Sequence, residues 1–205
     1  MKKFITKETQ RRVEQAIQEV ECKTDAELVV VVAKRADDYY YIPTMWAAFV
    51  TLLWPGVSHL LGAPKELNES YVVLALVFIV SMVLLRIPFL MYALIPRDVK
   101  QRRARSLAYE QFLVQNLHAT KARTGVLIFV SIAERYVKII ADKGINDKIT
   151  DPVWQNAVIA LTEQIKKGNP EEGFLEAIRL CSQPLIEHFP ASEPKNELSN
   201  HLVIL

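Results

Sequence analysis

The strongest constraint on this chain is a pair of long, almost uncharged stretches, 42–62 and 71–95, separated by only the eight residues Ala63 to Ser70. A helix that crosses a bilayer needs about 20 apolar residues at about 1.5 Å each. Tyr71 to Leu85 carries no formal charge, and beyond Arg86 the apolar run resumes as Ile87 to Ile95. An arginine at the bilayer centre costs about 2.5 to 3.5 kcal/mol. Arg86 lies in the second half of its run, where its stem can snorkel to the interface, and the Leu, Val and Ile residues outweigh that cost. The first stretch contains Pro43, Pro55, Gly56 and His59, which predict a poorer helix, kinked or partly interfacial. As core helices of a soluble protein, both runs would need apolar partners on every side, and the rest of a 205-residue chain is too small to supply them. The expectation is therefore a two-helix transmembrane hairpin over residues 41–96, with spans at about 42–62 and 71–95.

Arg97, Lys100, Arg102, Arg103 and Arg105 follow the second run and Lys34 and Arg35 precede the first, whereas the connector has one lysine against two glutamates. The positive-inside bias puts both termini and the remaining domain on the cytoplasmic side of the inner (plasma) membrane. The basic run serves as that topology signal, and its alternative reading is a lipid-facing cluster that binds anionic headgroups. The whole chain carries 25 basic and 23 acidic residues, for a net charge of +2, so no overall field draws it to nucleic acid. Cys22 and Cys181 show no ligand spacing with the four histidines and are expected to be free, buried thiols.

The hairpin interrupts an α/β pattern, dividing it into a first part, 1–40, and a second, 97–188, with a tail at 189–205. Thr6 is a plausible helix cap, and Val13, Ala16, Ile17 and Val20 fall on one helical face. Ala26 to Ala33 and Val126 to Ile132 are β-branched runs with the continuous apolar character of strands buried on both faces. A helix over Asp98 to Ala119, with Leu107, Val114 and Leu117 inward, joins them, so the two strands should be parallel. The short turn Ala133-Glu134-Arg135 makes Tyr136 to Asp142 the second arm of a hairpin. Asp151-Pro152 and Asn169-Pro170 each open a helix; Trp154, Ala157, Val158, Leu161 and Ile165 line the first, and Phe174, Ile178, Cys181 and Leu185 the second. The resulting fold is a small three-layer α/β/α sandwich interrupted by the membrane hairpin. The terminal His201 to Leu205 pentad is expected to dock on its own domain, with strand addition to a partner's sheet as the alternative.

Thr124 to Arg135, followed by Val137 to Ile145 and Asp151-Pro152-Val153-Trp154, resembles the TPM-domain family, named for thylakoid lumen phosphatase, photosystem repair and receptor-modulator proteins. Thr24 to Val32 is similar to that family's first strand. Phe189-Pro190 with Asn196-Glu197-Leu198 is similar to the ending of its membrane-embedded bacterial branch. The resemblance implies a small α/β/α sandwich and either of two roles, an acid phosphatase or a protein that acts by binding membrane complexes. Many members carry glycine, aromatic, glycine, aliphatic, acid after the third strand. This chain has Asp142-Lys143-Gly144-Ile145-Asn146, without the first glycine or the final acid.

Asp142, Asp147 and Asp151 fall at a strand end, a loop and a helix start, where carboxylates can converge on a hard divalent cation such as calcium or magnesium. Their other reading is a helix cap at Asp151 and solvated turns at the remaining two. Glu27 and Glu134 are additional acids, with Glu134 expected to be a solvated turn residue. There is no Gly-x-Ser-x-Gly elbow, no phosphate-cradling Gly-rich loop and no Cys-x5-Arg loop, so an enzyme here needs a metal-activated water. His59 and Arg86 within the apolar runs would mark a conduction path, although two spans with so few polar residues argue against transport unless the protein oligomerises. Ala47, Ala48, Gly56 and Ser81 would permit helix contacts in lipid. The leading expectation is a membrane-tethered, non-catalytic module that binds lipid and another membrane protein; the rival is a metal-dependent phosphoester hydrolase using Asp142 and Asp147.

Overall fold

The computed structural model describes residues 4–62, 71–192 and 202–205. The chain divides into two units. An α/β unit comprises Met1–Ala36 and Gln101–Leu205, and a helical unit comprises Asp37–Lys100.

The α/β unit is built on β1 (Glu27–Ala33) and β2 (Gly125–Ser131), in which every residue is buried. They pair in parallel, from Glu27 opposite Gly125 to Ala33 opposite Ser131. The tight turn after Ser131 returns the chain as β3 (Tyr136–Ala141), antiparallel to β2. A short β4 (Leu202–Ile204) adds to the opposite edge of β1, parallel to it, giving the order β3-β2-β1-β4. The apolar terminus thus docks on its own sheet, with the Leu205 amide donating to Val32 O at 3.0 Å. Residues 193–201, which precede it, lie outside the described residues.

Because successive strand residues alternate faces, β1 feeds two cores. Leu28, Val30 and Val32 pack under α1 (Lys7–Glu21) and the two helices described below, and Val29, Val31 and Ala33 pack on the other face. Thr6 caps α1 by accepting from the Thr9 amide at 3.0 Å. Thr9 Oγ1 donates to Glu171 at 2.8 Å, and Arg12 pairs with the same carboxylate.

The opposite face is covered by the helix leading into β2, which is shorter than its periodicity predicts. It spans Arg97–Val114, and Asn116, at φ 57°, turns the chain into a single 3-10 turn, Leu117–Ala119. Its inward residues are Ala104, Ala108, Gln111 and Phe112; Leu117 is buried from the 3-10 turn, whereas Val114 is exposed. Continuing the helix to Ala119 would have required Asn116 to stay helical, and asparagine is among the residues that most readily leave for the left-handed region.

The helical unit contains α2 (Tyr41–Leu60), which runs through Pro55, then α3 (Tyr71–Leu85) and α4 (Pro88–Leu94). The helix entering β2 (Arg97–Val114) is α5; α6 (Lys143–Asn146), α7 (Asp151–Lys166) and α8 (Pro170–His188) complete the α/β unit. The stretch 71–95 is not one straight span. Ile87 sits at φ −59°, ψ 125°, and α4 departs from α3 at 94°. The residue before a proline is driven out of the α region by the ring, so Pro88 starts a new helix and ends the old one. Among the described residues no single helix is long and apolar enough to cross a membrane; α3 and α4 pass that test together, as a bent pair. α2 and α3 pack on each other, yet no residue of α3 is buried. The base of the unit is a small cluster of Tyr39, Ile42, Met91 and Ile95. Tyr39 and Tyr92 meet edge to face at 6.1 Å, and Lys100 Nζ donates to Tyr92 O at 2.6 Å. The connector 63–70 lies outside the described residues.

Candidate functional site

The loop that follows β3 and the helix start beyond it carry the three aspartates expected to share a cation. Asp142 ends the strand, its amide donating to Gly125 O at 2.9 Å in the last bond of the β2–β3 ladder. Its carboxylate faces Arg123, which reaches it through Nε at 2.7 Å and Nη2 at 2.9 Å. The same carboxylate caps α6 by accepting from the Lys143 amide at 2.7 Å.

Arg123 is held for this contact by a tight turn. It adopts φ 58°, and its amide donates to Thr120 O at 3.0 Å. Thr120 Oγ1 accepts from the Thr124 amide at 3.0 Å, and Thr124 Oγ1 donates to Asp25 O at 3.0 Å, tying the turn to the entry of β1. Burial would raise the Asp142 pKa. The bonds from Arg123 and Lys143, with the nearby Arg123 and His118 charges, outweigh it and hold the carboxyl below its ordinary range. Two residues on, Gly144 fits closely: a Cβ there would lie 2.5 Å from Ala122 O and 2.7 Å from Arg123 O. Asn146, the last residue of α6, turns its Nδ2 back onto Ala141 O at 2.7 Å.

The three aspartates proposed to share a cation play separate parts. Asp142 is committed to Arg123 and the helix cap. Asp147 is an exposed residue closing α6 in ordinary helical geometry, and Asp151 is exposed in the first turn of α7, where Thr150 takes the capping position. Among the described residues no three His, Cys, Asp or Glu side chains stand close enough to hold a metal ion. These three aspartates do not fit a divalent cation, because they are not gathered into a ligand cluster and the one of them that is buried, Asp142, already has its counter-charge.

Glu134 is a correction to the expected solvated turn. It is buried between β2 and β3, accepting from Ser131 Oγ and, at 3.1 Å, from the Ala36 amide. Glu27 is also buried, and beside it lies Glu21, the last residue of α1. Burial, only partly offset by the Leu28 amide at 3.0 Å and reinforced by Glu27, pushes Glu21 up to about 8. Sequence patterning missed both the Glu21–Glu27 pair and the role of Arg123.

The basic residues after the apolar run spread around α5. Arg97, Arg102, Arg103 and Arg105 are exposed, whereas Lys100 is drawn to Tyr92 O. Arg86 stands over the Tyr40 ring at 5.5 Å, and His59 is exposed in the last turn of α2. Of the small residues in α2, Ala47 is buried while Ala48 and Gly56 are exposed; Ser81 of α3 is half-buried. Cys181 is buried and its thiol is pushed up to about 12 by that burial, whereas Cys22, expected to be buried, is exposed in the cap of α1.

Residues 91–183 match the TPM domain family. The chain is similar in fold to the NMR structure of the BA42 protein from the psychrophilic bacterium Bizionia argentinensis. That similarity has a TM-score of 0.62 at 21% identity, covering 98% of this chain and 96% of the other. Among curated proteins no match is found.

Proposed function

We propose that this protein is a membrane-anchored, non-catalytic interaction or regulatory module that acts on a membrane protein complex, with its α/β unit on the cytoplasmic side. The observation that carries this reading is α3: fifteen residues without a charged side chain, almost all of them apolar, with none buried. Leu76, Ile79, Val80, Val83 and Leu84 are all exposed, as are Phe89 of α4 and Leu52 and Leu60 of α2. So many exposed apolar side chains on neighbouring helices favour an apolar surrounding, and a bilayer supplies one. In this reading α3 and α4, which meet at 94°, act together as a broken span or a re-entrant element that turns at Arg86 and Pro88.

The non-catalytic half of the reading rests on Asp142. A carboxylate that accepts three hydrogen bonds, two of them from a guanidinium, is poorly placed to take a proton from water or to ligate a cation. The TPM domain match is compatible with a phosphatase-like or a regulatory role, and the occupied loop favours the second. The basic residues flanking the apolar runs support the cytoplasmic placement.

Reconstitution of the full-length protein tests the anchoring. Flotation with liposomes that survives both high salt and alkaline carbonate is the expected result; release by either treatment would contradict membrane insertion.

A further inference from the structure

β3 is the outer strand of the sheet, and among the described residues no strand pairs with its outer edge. The antiparallel register and the Asp142 to Gly125 bond place Tyr136, Lys138 and Ile140 in the hydrogen-bonded positions facing β2. The amides and carbonyls of Val137, Ile139 and Ala141 therefore point away from the sheet. Asn146 Nδ2 confirms the direction by capping Ala141 O from outside, and no described strand covers the rest. A groove of about 830 Å3 runs along this edge between α5 and α7.

The two walls of the groove differ in chemistry. On the α5 side stand Arg105, Tyr109 and Lys138, whose Nζ lies 4.7 Å over the Tyr109 ring and bonds its hydroxyl at 3.1 Å. On the α7 side stand Trp154, Val158 and the exposed Ile159, with Val137 and Ile139 turned the same way. Asp151 sits at the α7 end, near Asn146. An added strand alternates its side chains between the two walls at period two.

We propose that the β3 edge receives an extended segment of a partner protein in which acidic and apolar residues alternate, adding a fifth strand with its acids toward Arg105 and Lys138 and its apolar residues toward Trp154, Val158 and Ile159. The proposal rests on the interaction-module reading and supplies the chemistry of the partner. A second copy of this chain is the poorer occupant, because β3 paired with β3 brings Lys138 and Arg105 against their own counterparts. A lysine on an edge strand opposes such self-pairing.

The test uses the full-length protein in detergent micelles and three labelled heptapeptides, followed by fluorescence polarisation. One alternates glutamate with valine, one alternates lysine with valine, and one repeats the first with a central proline. The glutamate peptide should bind about tenfold or more tightly than either control, and Arg105→Glu with Lys138→Glu should reverse the preference between the acidic and basic peptides. Lys138→Gln, the milder change, should weaken the acidic peptide alone. Val137→Pro removes an outward donor without touching the β2 ladder and should weaken every extended peptide. Equal binding of acidic and basic peptides, indifference to the central proline, or no response to either charge variant would overturn the proposal. A dimer that Val137→Pro dissociates would overturn it in favour of a second copy. Loss of peptide binding with flotation intact would sink this inference and leave the anchored-module reading standing, whereas failed flotation strikes that reading directly.

Discussion

Arg123 and Asp142, nineteen positions apart, meet in a two-point ion pair of 2.7 and 2.9 Å that closes the loop after β3 onto the turn before β2. The guanidinium is largely in solvent and the carboxylate is buried. The contribution therefore comes mainly from satisfying a desolvated acid, and less from attraction between the two charges.

Asp142→Ala removes the α6 cap and the pair together and should destabilise the α/β unit by about 2 kcal/mol; Asp142→Asn keeps a capping oxygen and should cost about 1 kcal/mol. Urea unfolding followed by circular dichroism measures both. Because the folded carboxyl lies below its ordinary range, its stabilising share is present above the unfolded pKa and is lost as pH falls through the folded one. The wild type should lose stability on acidification more steeply than Asp142→Asn.

Gly144→Ala sets a methyl group against two backbone carbonyls, Ala122 O and Arg123 O, neither of which is free to swing away. The cost should be about 1 to 3 kcal/mol, read as a drop in thermal midpoint. A neutral result would mean that the loop relaxes without disturbing Arg123.

Glu21 has the opposite pH sign. Burial puts its folded pKa at about 8, above the ordinary glutamate value of 4.5, so the folded state binds the extra proton. Stability from this group is complete below the lower value and is lost as pH rises toward the upper one, by on the order of a few kcal/mol. Glu21→Gln keeps an acceptor for the Leu28 amide and has no proton to lose. Its thermal midpoint should hold between pH 5 and pH 8.5 while that of the wild type falls.

The two thiols should separate by reactivity. A maleimide applied to the native protein should label Cys22 and spare Cys181, whose burial suppresses the thiolate. Mass spectrometry should find a single adduct on Cys22 until denaturant is added.

Much of the sheet was legible because its signals are local. Two continuous β-branched runs, a four-residue turn between β2 and β3 and a long helix before β2 leave few ways to arrange three strands. The terminal pentad's strand character was legible for the same reason, although its place beside β1 depended on a free edge that only the assembled sheet defines. The break at Pro88 carried a sequence signal in the pre-proline rule, which the hydrophobicity of 71–95 obscured. Val114 faces out because Asn116 ends the helical register early.

The candidate site was harder to read. Glu134 sits in a turn, and turns are usually wet, yet it is buried with Ser131 and the Ala36 amide as partners. Arg123 reaches Asp142 only because a non-glycine residue takes φ 58°, a conformation that side-chain patterning does not register. The available clue was Asp142 itself at the end of an apolar strand, since an acid at a buried strand end demands a counter-charge.

The central claim, that the loop is a structural closure and no catalytic centre, is tested most directly by phosphoester turnover. Purified full-length protein is assayed on p-nitrophenyl phosphate with and without magnesium or calcium, beside the Asp142→Ala, Asp147→Ala double variant. The account predicts no cation-dependent turnover in a folded wild-type sample and no difference between the two proteins. Cation-dependent turnover in the wild type, abolished in a double variant whose circular dichroism is unchanged, would contradict it.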